Sequence, residues 1–212
     1  MSVDVKGALA KLGAAMGEPL SPEEYAKRKA EKKQKDMWLG FEEILARSNA
    51  PKRHLQTEAV HKGKFAERYQ KLSEIKGRGY MVARIGAWGA GKTQLAVEMM
   101  KDRATLGKKV EYHTAMELLM MFKATYNNDS RVTEMDVVKA LTKPSLLVID
   151  EAAKRGEPEW ENRLLFEILN KRYGDFKDTI LIANQSREEF SKSMGPAIVR
   201  RMDEVGGLMV FE

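Results

Sequence analysis

Eight consecutive residues carry the clearest chemistry in this chain. They match the pattern G-x-x-x-x-G-K-[ST] in full, and they are Gly86, Ala87, Trp88, Gly89, Ala90, Gly91, Lys92 and Thr93. Glycines allow a tight turn that aims backbone N–H groups at phosphates, and a helix opening at Lys92 adds its positive end. Lys92 would reach the β- and γ-phosphates, while the Thr93 hydroxyl would hold Mg²⁺. The pattern predicts a nucleoside triphosphate site extending from Gly86 through Gln94.

Two carboxylates follow an apolar strand further along the chain. Residues 145–149 are Ser-Leu-Leu-Val-Ile, and Asp150 and Glu151 come next. At the carboxyl end of a parallel strand, Asp150 can hold Mg²⁺ and Glu151 can polarise the attacking water. An acidic helix cap is the alternative interpretation. Together with the phosphate loop, the pair predicts ATP hydrolysis.

Two further side chains allow more than one interpretation each. Asn184 ends the apolar stretch 179–183, and it could contact the γ-phosphate, orient the water beside Glu151, or cap the following turn. Trp88 could pack on the adjacent chain or stack on the base, and we favour packing.

Strands and helices alternate from residue 80 onward, which predicts an α/β fold with a parallel sheet flanked by helices. The predicted strands are 80–85, 109–113, 145–149, 179–183 and 208–211. Predicted helices include 62–75, a helix after the phosphate loop with Gly107 at its C-cap, one capped by Thr133 and Asp136, and 159–173.

The N-terminal part predicts further helices. Ser21 and Glu24 form a capping box, and the helix that follows carries Met37, Trp38, Phe41, Ile44 and Leu45 at helical spacing. A sparser stripe comprises Val5, Leu9, Leu12 and Met16. Both stripes could pack internally or dock a partner protein. Pro51, within residues 48–53, predicts the break before the core.

Composition excludes several classes of protein. The chain has no cysteine, so disulfides and cysteine-ligated zinc are impossible, and its three histidines are scattered. Because no apolar run approaches membrane-spanning length, we expect a cytoplasmic protein without membrane contact.

Residues 1–80 contain 17 basic and 11 acidic side chains, whereas residues 81–212 contain 20 of each. The basic excess therefore indicates either a polyanion or acidic partner for the N-terminal part, or a merely solvated helix face.

These motifs together resemble the DnaC/DnaI-type bacterial helicase loaders, AAA+ ATPases close to the IstB-type transposition helpers. The resemblance covers residues 48–212 and rests on the two motifs above, on Asn184, and on Met194-Gly195 leading to Arg201-Met202. It implies that Asn184 is the sensor 1 residue and that Arg201 is the arginine finger reaching a neighbouring subunit's ATP site, with the adjacent Arg200 as a substitute. The family usually has another arginine where Ala197 stands, and a sensor 2 arginine would be expected beyond Glu212. Both departures bear on hydrolysis and self-assembly rather than on nucleotide binding.

The resemblance implies an ATP- and Mg²⁺-dependent loader that binds a DnaB-type replicative hexameric helicase, delivers it onto single-stranded DNA and self-assembles through the ATP site. The small size of the N-terminal part would suit a phage-encoded or mobile-element version. We expect residues 1–47 to be a basic helical partner-binding region, 48–79 a linker and leading helix, and 80–212 the AAA+ ATPase core. An IstB-like transposition helper and a nucleotide-gated adaptor with little turnover are the alternatives.

Overall fold

Five parallel strands form one sheet in the part of the chain described by the computed structural model, residues 21–86, 89–127, 130–152 and 158–211. The strands are β1 (Met81–Gly86), β2 (Val110–Thr114), β3 (Leu146–Asp150), β4 (Asp178–Ile182) and β5 (Gly207–Phe211). Their order across the sheet is β2-β3-β4-β1-β5. This confirms the predicted α/β class.

Each predicted strand is present, with bounds shifted by one residue at one or both ends. β1 and β3 extend to Gly86 and Asp150, because these residues pair with Phe211 and Thr114 in the ladders. Neither has an apolar side chain, so hydropathy alone ended both strands one residue early.

Helices connect and cover the strands. They are α1 (Pro22–Ala46), α2 (Lys52–Gln56), α3 (Gly63–Glu74), α4 (Lys92–Thr105), α5 (Ala115–Ala124), α6 (Glu134–Thr142), α7 (Pro158–Gly174), α8 (Arg187–Met194) and α9 (Pro196–Val205). The capping box of Thr133 and Asp136 is confirmed, and Thr114 and Ser186 start α5 and α8 in the same way. The short helix α2 was not predicted from the sequence.

The sheet buries both faces. In β1, Met81, Ala83 and Ile85 contribute to one apolar cluster, while Val82 contributes to the other, as the two-residue period of a strand requires. The first cluster draws on α5 to α9 and the second on α3 and α4. Because both faces of the sheet are buried, the strands are held in place on both sides. The polar residues of the site lie at the ends of these strands.

Two compact units divide the chain at Leu39 and Gly40. In the first, Ser21 caps α1 as predicted, since the Glu24 N–H donates to Ser21 Oγ over 3.2 Å and the Ser21 N–H to Glu24 Oε2 over 2.9 Å. Met37, Trp38 and Leu39 are more than half exposed. The stripe Val5, Leu9, Leu12 and Met16 lies outside the described residues.

In the second unit, the last turn of α1 and the segment after it contact the core around the sheet. Ile44 and Leu45 pack on the second apolar cluster, and Ser48 is fully buried, its carbonyl accepting the Tyr112 N–H over 2.7 Å. The predicted break at Pro51 is present, because α1 ends before it. No helix in the described residues is long and apolar enough to cross a membrane.

Candidate nucleotide site

The phosphate loop begins at Gly86, the last residue of β1. Gly86 has φ +124°, and a Cβ placed there would lie 1.9 Å from the Phe211 carbonyl oxygen, so only glycine fits beside β5. Gly89 and Gly91 also have positive φ, +74° and +81°. Ala87 and Trp88 lie outside the described residues. The glycines therefore serve two purposes, close approach to β5 and the turn into α4.

Lys92 lies over this loop. Its Nζ donates to the Gly86 carbonyl over 2.8 Å, and the residue is only 5% exposed. Burial lowers the pKa of Lys92, while the negative charge of Asp150 opposes that shift. An ammonium that is partly removed from water gains more from contact with a phosphate than an exposed one does.

Asp150 joins the two motifs. Its Oδ2 accepts the Thr93 hydroxyl over 3.1 Å and also the hydroxyl of Tyr112. β1 and β3 are not neighbours in the sheet, yet Asp150 at the end of β3 meets Thr93 from the helix that follows β1. Burial, together with the charge and hydrogen bond of Asp150, raises the pKa of Tyr112 far above its ordinary value, so its hydroxyl stays a donor.

Glu151 lies in a strained backbone conformation next to Asp150. Its φ is +54°, which is uncommon for a residue other than glycine, and its N–H donates to Asp150 Oδ1 over 2.6 Å. The next residue, Ala152, donates its N–H to the Ile182 carbonyl over 2.9 Å. The Ala152 bond ties the end of β3 to the end of β4. Together the two bonds hold the backbone from which the Glu151 side chain extends.

An open cleft of about 440 Å³ brings the predicted residues together. Its walls include Gly89, Ala90, Gly91, Lys92, Thr93, Gln94, Asp150, Glu151 and Asn184. Asn184 is there because β4 lies between β1 and β3, so the residues after β4 come between the two motifs. The cleft therefore holds the predicted phosphate, metal and water-polarising groups on one edge of the sheet.

Sequence reasoning missed the three other polar residues of the wall, His54, Tyr112 and Thr114. His54 comes from α2, and its Nδ1 lies 2.7 Å from Gln94 Oε1. The Gln94 amide nitrogen donates to the His54 carbonyl over 3.1 Å and to Glu98 over 3.0 Å. Gln94 thus holds α2 against α4, a role that no local pattern indicated. For Tyr112, the sequence did offer a signal, because a side chain with a hydroxyl group near the carboxyl end of β2 is placed to reach the cleft.

Arg201 is not among the residues of this cleft. It lies on α9, with its guanidinium carbon 5.4 Å from the Phe166 ring and 5.6 Å from the Tyr173 ring. One nitrogen donates to the Ala197 carbonyl over 3.1 Å. Its assignment as a finger acting on a neighbouring subunit stays a prediction, as does that of Arg200, which pairs with Glu204 at 3.6 Å.

The oxygen groups at the junction fit Mg²⁺. Magnesium prefers hard oxygen ligands and is usually held by one or two protein oxygens together with substrate phosphates and water. Thr93 and Asp150 offer a hydroxyl and a carboxylate 3.1 Å apart. No group of three or more histidine or acidic side chains in the described ranges could hold a metal by itself, so nucleotide phosphates would have to complete the coordination.

Comparison with known proteins places this site in a family. A family model described as IstB-like ATP binding protein matches residues 53–201, more than half of the chain. The chain belongs to this family. The IstB-like chain is also 29% identical over 117 residues to the replicative helicase loader DnaC of Escherichia coli strain K12, covering 55% of this chain and 47% of DnaC. It thus spans about half the length of the curated relatives it matches.

Solved structures agree on the fold of the IstB-like chain. It is similar to the crystal structure of the DnaC helicase loader, with a TM-score of 0.63 and 21% identity over 76% of this chain and all of that one. It is also similar to DnaA from Aquifex aeolicus bound to AMPPCP, with a TM-score of 0.61 and 19% identity over 75% of this chain and 49% of that one. These comparisons confirm the AAA+ P-loop core and the resemblance to the DnaC/DnaI and IstB group, and the chain is an ATP-binding P-loop NTPase.

Proposed function

We propose that this IstB-like protein is an ATP-dependent loader that binds a DnaB-type replicative hexameric helicase and delivers it onto single-stranded DNA. The observation that carries the proposal is the meeting of Thr93, Asp150 and Glu151 in one cleft of a chain similar to a replicative helicase loader. A site of this kind distinguishes ATP from ADP, because only ATP places a γ-phosphate between these groups. ATP would therefore serve as the timing switch, and hydrolysis as the means of release.

In the proposed reaction, water attacks the γ-phosphorus and the bond to the ADP oxygen breaks. Lys92 and the loop N–H groups bind the phosphates and stabilise the charge that develops on them. Thr93 and Asp150 would hold Mg²⁺, which would supply positive charge to the phosphates. Glu151 polarises the water and takes up its proton, and Asn184 orients that water or contacts the γ-phosphate.

Among the described residues, no arginine lines the cleft, so one chain by itself places none of them beside the γ-phosphate. Under the proposal, Arg201 of a neighbouring copy supplies that arginine, so that hydrolysis requires self-assembly through the ATP site. The Arg201 guanidinium lies against the rings of Phe166 and Tyr173 on its own chain. Under the proposal, this position makes it available to a neighbouring copy.

Residues 1–47 are proposed to hold the helicase. Residues 1–47 contain 9 basic and 8 acidic side chains, so their exposed apolar side chains carry the proposal rather than their charge, and α1 exposes Met37, Trp38 and Leu39 in succession. Trp38 and Phe41 are the proposed anchors, because large aromatic side chains dominate interface energies. An amphipathic helix of this kind fits a groove on a partner protein.

The test is capture of the replicative helicase from the same source by the full chain and by residues 48–212, with ATP binding and thermal melts of both. We expect the shortened chain to bind ATP and stay soluble but to lose the helicase, with a somewhat lower melting midpoint because Ile44 and Leu45 no longer pack on the second apolar cluster. Equal capture by both would contradict the N-terminal assignment and move the helicase surface onto the core. Aggregation of the shortened chain would show that the N-terminal helices pack internally instead.

The match to the IstB-like family favours a second candidate, a transposition helper that coats duplex DNA and contacts a transposase. Phosphate release measured with helicase plus single-stranded DNA, and separately with duplex DNA, distinguishes the two. Stimulation by duplex DNA without helicase capture would support the helper. No stimulation under any condition would support a nucleotide-gated adaptor with little turnover.

A further inference from the structure

A second cavity lies at the opposite edge of the sheet, where the strands begin. Its volume is about 570 Å³, and we call it the basic pocket. The cationic residues in its wall are Lys76, Arg103, Lys108, Lys109, Lys143 and Lys177. Lys109 and Lys177 immediately precede β2 and β4, and Lys143 precedes β3 by three residues. The parallel topology therefore gathers lysines that are far apart in the sequence.

The one carboxylate in the wall is already engaged. Asp178 is 1% exposed, pairs with Arg103, and accepts the N–H groups of Gly77, Gly79 and Tyr80 over 2.7, 2.9 and 3.1 Å. Its charge is therefore used inside the fold. The basic pocket keeps a net positive charge toward solvent.

The lysines divide into two sets. Lys76 pairs with Asp102 at 2.8 Å and Lys109 with Glu111 at 2.6 Å. For Lys108, Lys143 and Lys177, no carboxylate of the described residues lies within ion-pair distance. Lys108 and Lys143 are exposed, and Lys177 is half-buried. Three lysines around one concavity suit a ligand that carries several negative charges.

Phe176 adds an aromatic group to the same wall, in a conformation that costs stability. It follows the end of α7 with φ +52° and is 75% exposed. The Lys177 N–H donates to the Arg172 carbonyl over 2.9 Å, and the Phe176 N–H to the Tyr173 carbonyl over 3.2 Å. This is a Schellman cap, a motif that normally places glycine at the position that Phe176 occupies.

The same pocket contains a control for that comparison. At the end of α4, the Lys108 N–H donates to the Arg103 carbonyl over 3.1 Å and the Gly107 N–H to the Ala104 carbonyl over 2.9 Å. Here the left-handed residue is Gly107, with φ +66°. One cap uses the expected residue, and the other holds a large, exposed aromatic ring in a strained backbone. Strain of this kind concentrates where a side chain has a function.

We infer that the basic pocket binds the backbone and one base of a single-stranded nucleic acid. Lys108, Lys143 and Lys177 would contact phosphates, and the exposed ring of Phe176 would stack on a base. Lysines beside an exposed aromatic platform are how proteins bind single strands without reading their sequence. An acidic protein segment would satisfy the lysines but would have no use for the ring. The pocket lies away from the nucleotide cleft. The inference rests on the proposed function in that it names where the ATPase core contacts the single strand. Binding at the pocket needs neither ATP nor a helicase, so its failure is distinguishable from a failure of helicase loading.

The test is fluorescence anisotropy of the full chain with a labelled oligothymidylate of about 16 nucleotides, within the range that single-strand folds cover. The pocket variant carries Lys108→Gln, Lys143→Gln and Lys177→Gln. The control variant carries Lys62→Gln, Lys71→Gln and Lys192→Gln, three exposed lysines elsewhere on the second unit. We expect the pocket variant to bind at least about tenfold more weakly, with a salt slope lower by about 2, since each phosphate contact on a single strand contributes about 0.7. Equal binding by the two variants would overturn the proposal.

Phe176 is tested separately from the charge. Phe176→Tyr keeps a ring and should bind as the wild type does, whereas Phe176→Gly should bind about tenfold more weakly. Because glycine relieves the left-handed backbone, the melting midpoint of Phe176→Gly should equal or exceed that of the wild type. A lower midpoint with unchanged binding would assign the ring a structural role and contradict the stacking. Tighter binding of a glutamate peptide than of the oligonucleotide would also overturn the proposal, in favour of an acidic partner.

Discussion

The two edges of the sheet are built from the same strands but collect opposite kinds of residue. At the carboxyl edge, the nucleotide cleft combines a glycine-rich loop, one buried lysine and a carboxylate pair. At the amino edge, the basic pocket combines scattered lysines with a single exposed ring. The first edge is tied together by hydrogen bonds between its own side chains, such as that from Thr93 to Asp150. The second leaves several cations facing solvent.

This difference corresponds to two kinds of ligand. A nucleoside triphosphate is small and must be held in one geometry for hydrolysis, so its groups are preorganised by mutual contacts. A single strand is long and is bound by charge and stacking, which tolerate looser placement. Each edge can be altered without touching the other, and the predictions below use that separation.

The largest effect is expected from a residue outside the cleft. Because Arg201 does not reach the cleft of its own chain, Arg201→Ala should bind ATP normally and hydrolyse it about 10³- to 10⁵-fold more slowly, as loss of an arginine finger does. Steady-state phosphate release beside nucleotide titration measures this. Arg187→Ala, at an exposed arginine on α8, is the matched control, and it should keep most activity.

A mixing experiment sharpens the Arg201 prediction. Inactive Arg201→Ala and Glu151→Gln proteins, combined in equal amounts, should recover part of the wild-type rate, since one mixed interface carries both groups. Failure to recover, with assembly verified by light scattering, would place Arg201 in its own chain's reaction.

Within the cleft, Glu151→Gln should slow hydrolysis by about 10²- to 10⁴-fold, the usual contribution of a general base. ATP affinity should be unchanged, because the substitution removes the proton acceptor and leaves Lys92 and the loop in place. Single-turnover phosphate release, with protein in excess over ATP, is the measurement. Glu188→Gln, an exposed glutamate on α8, is a charge-matched control, and weaker ATP binding by Glu151→Gln alone would contradict the assignment.

A smaller effect is expected from Tyr112, which donates to Asp150 and thereby positions it. Tyr112→Phe removes one hydrogen bond to a carboxylate, so we expect the Mg²⁺ concentration for half-maximal hydrolysis to rise by about three- to tenfold. The rate at saturating Mg²⁺ should change little. A lower rate at every Mg²⁺ concentration would instead indicate that Tyr112 contacts the reacting groups.

The sequence predicted the nucleotide cleft because its chemistry is contiguous. Gly86 to Thr93 and Asp150 with Glu151 are local patterns, and each follows an apolar strand. That β4 would bring Asn184 between them could not be deduced from spacing, because strand order is a property of the whole sheet. His54 and Tyr112 were missed for the same reason, since they join the cleft only through contacts with Gln94 and Asp150.

The basic pocket escaped sequence reasoning for a different reason. Residues 81–212 contain equal numbers of basic and acidic side chains, and that balance suggested a neutral core. The equal count does not show where the charges lie. Asp178 and Glu111 are paired with neighbouring basic side chains. Lys108, Lys143 and Lys177 instead gather at one edge of the sheet. Phe176 gave no signal either, because its left-handed backbone is visible only in the structure.

The most direct test measures both ligands on both edges. ATP and oligothymidylate affinities are determined for the wild type, for Lys92→Ala, and for the pocket variant with Lys108→Gln, Lys143→Gln and Lys177→Gln. We predict that Lys92→Ala loses about 10- to 100-fold in ATP affinity, as removal of a charged hydrogen-bond donor does, and keeps the oligonucleotide. The pocket variant should show the reverse. Unchanged ATP affinity in Lys92→Ala would contradict the nucleotide site, and loss of both ligands in either variant would contradict the separation of the two edges.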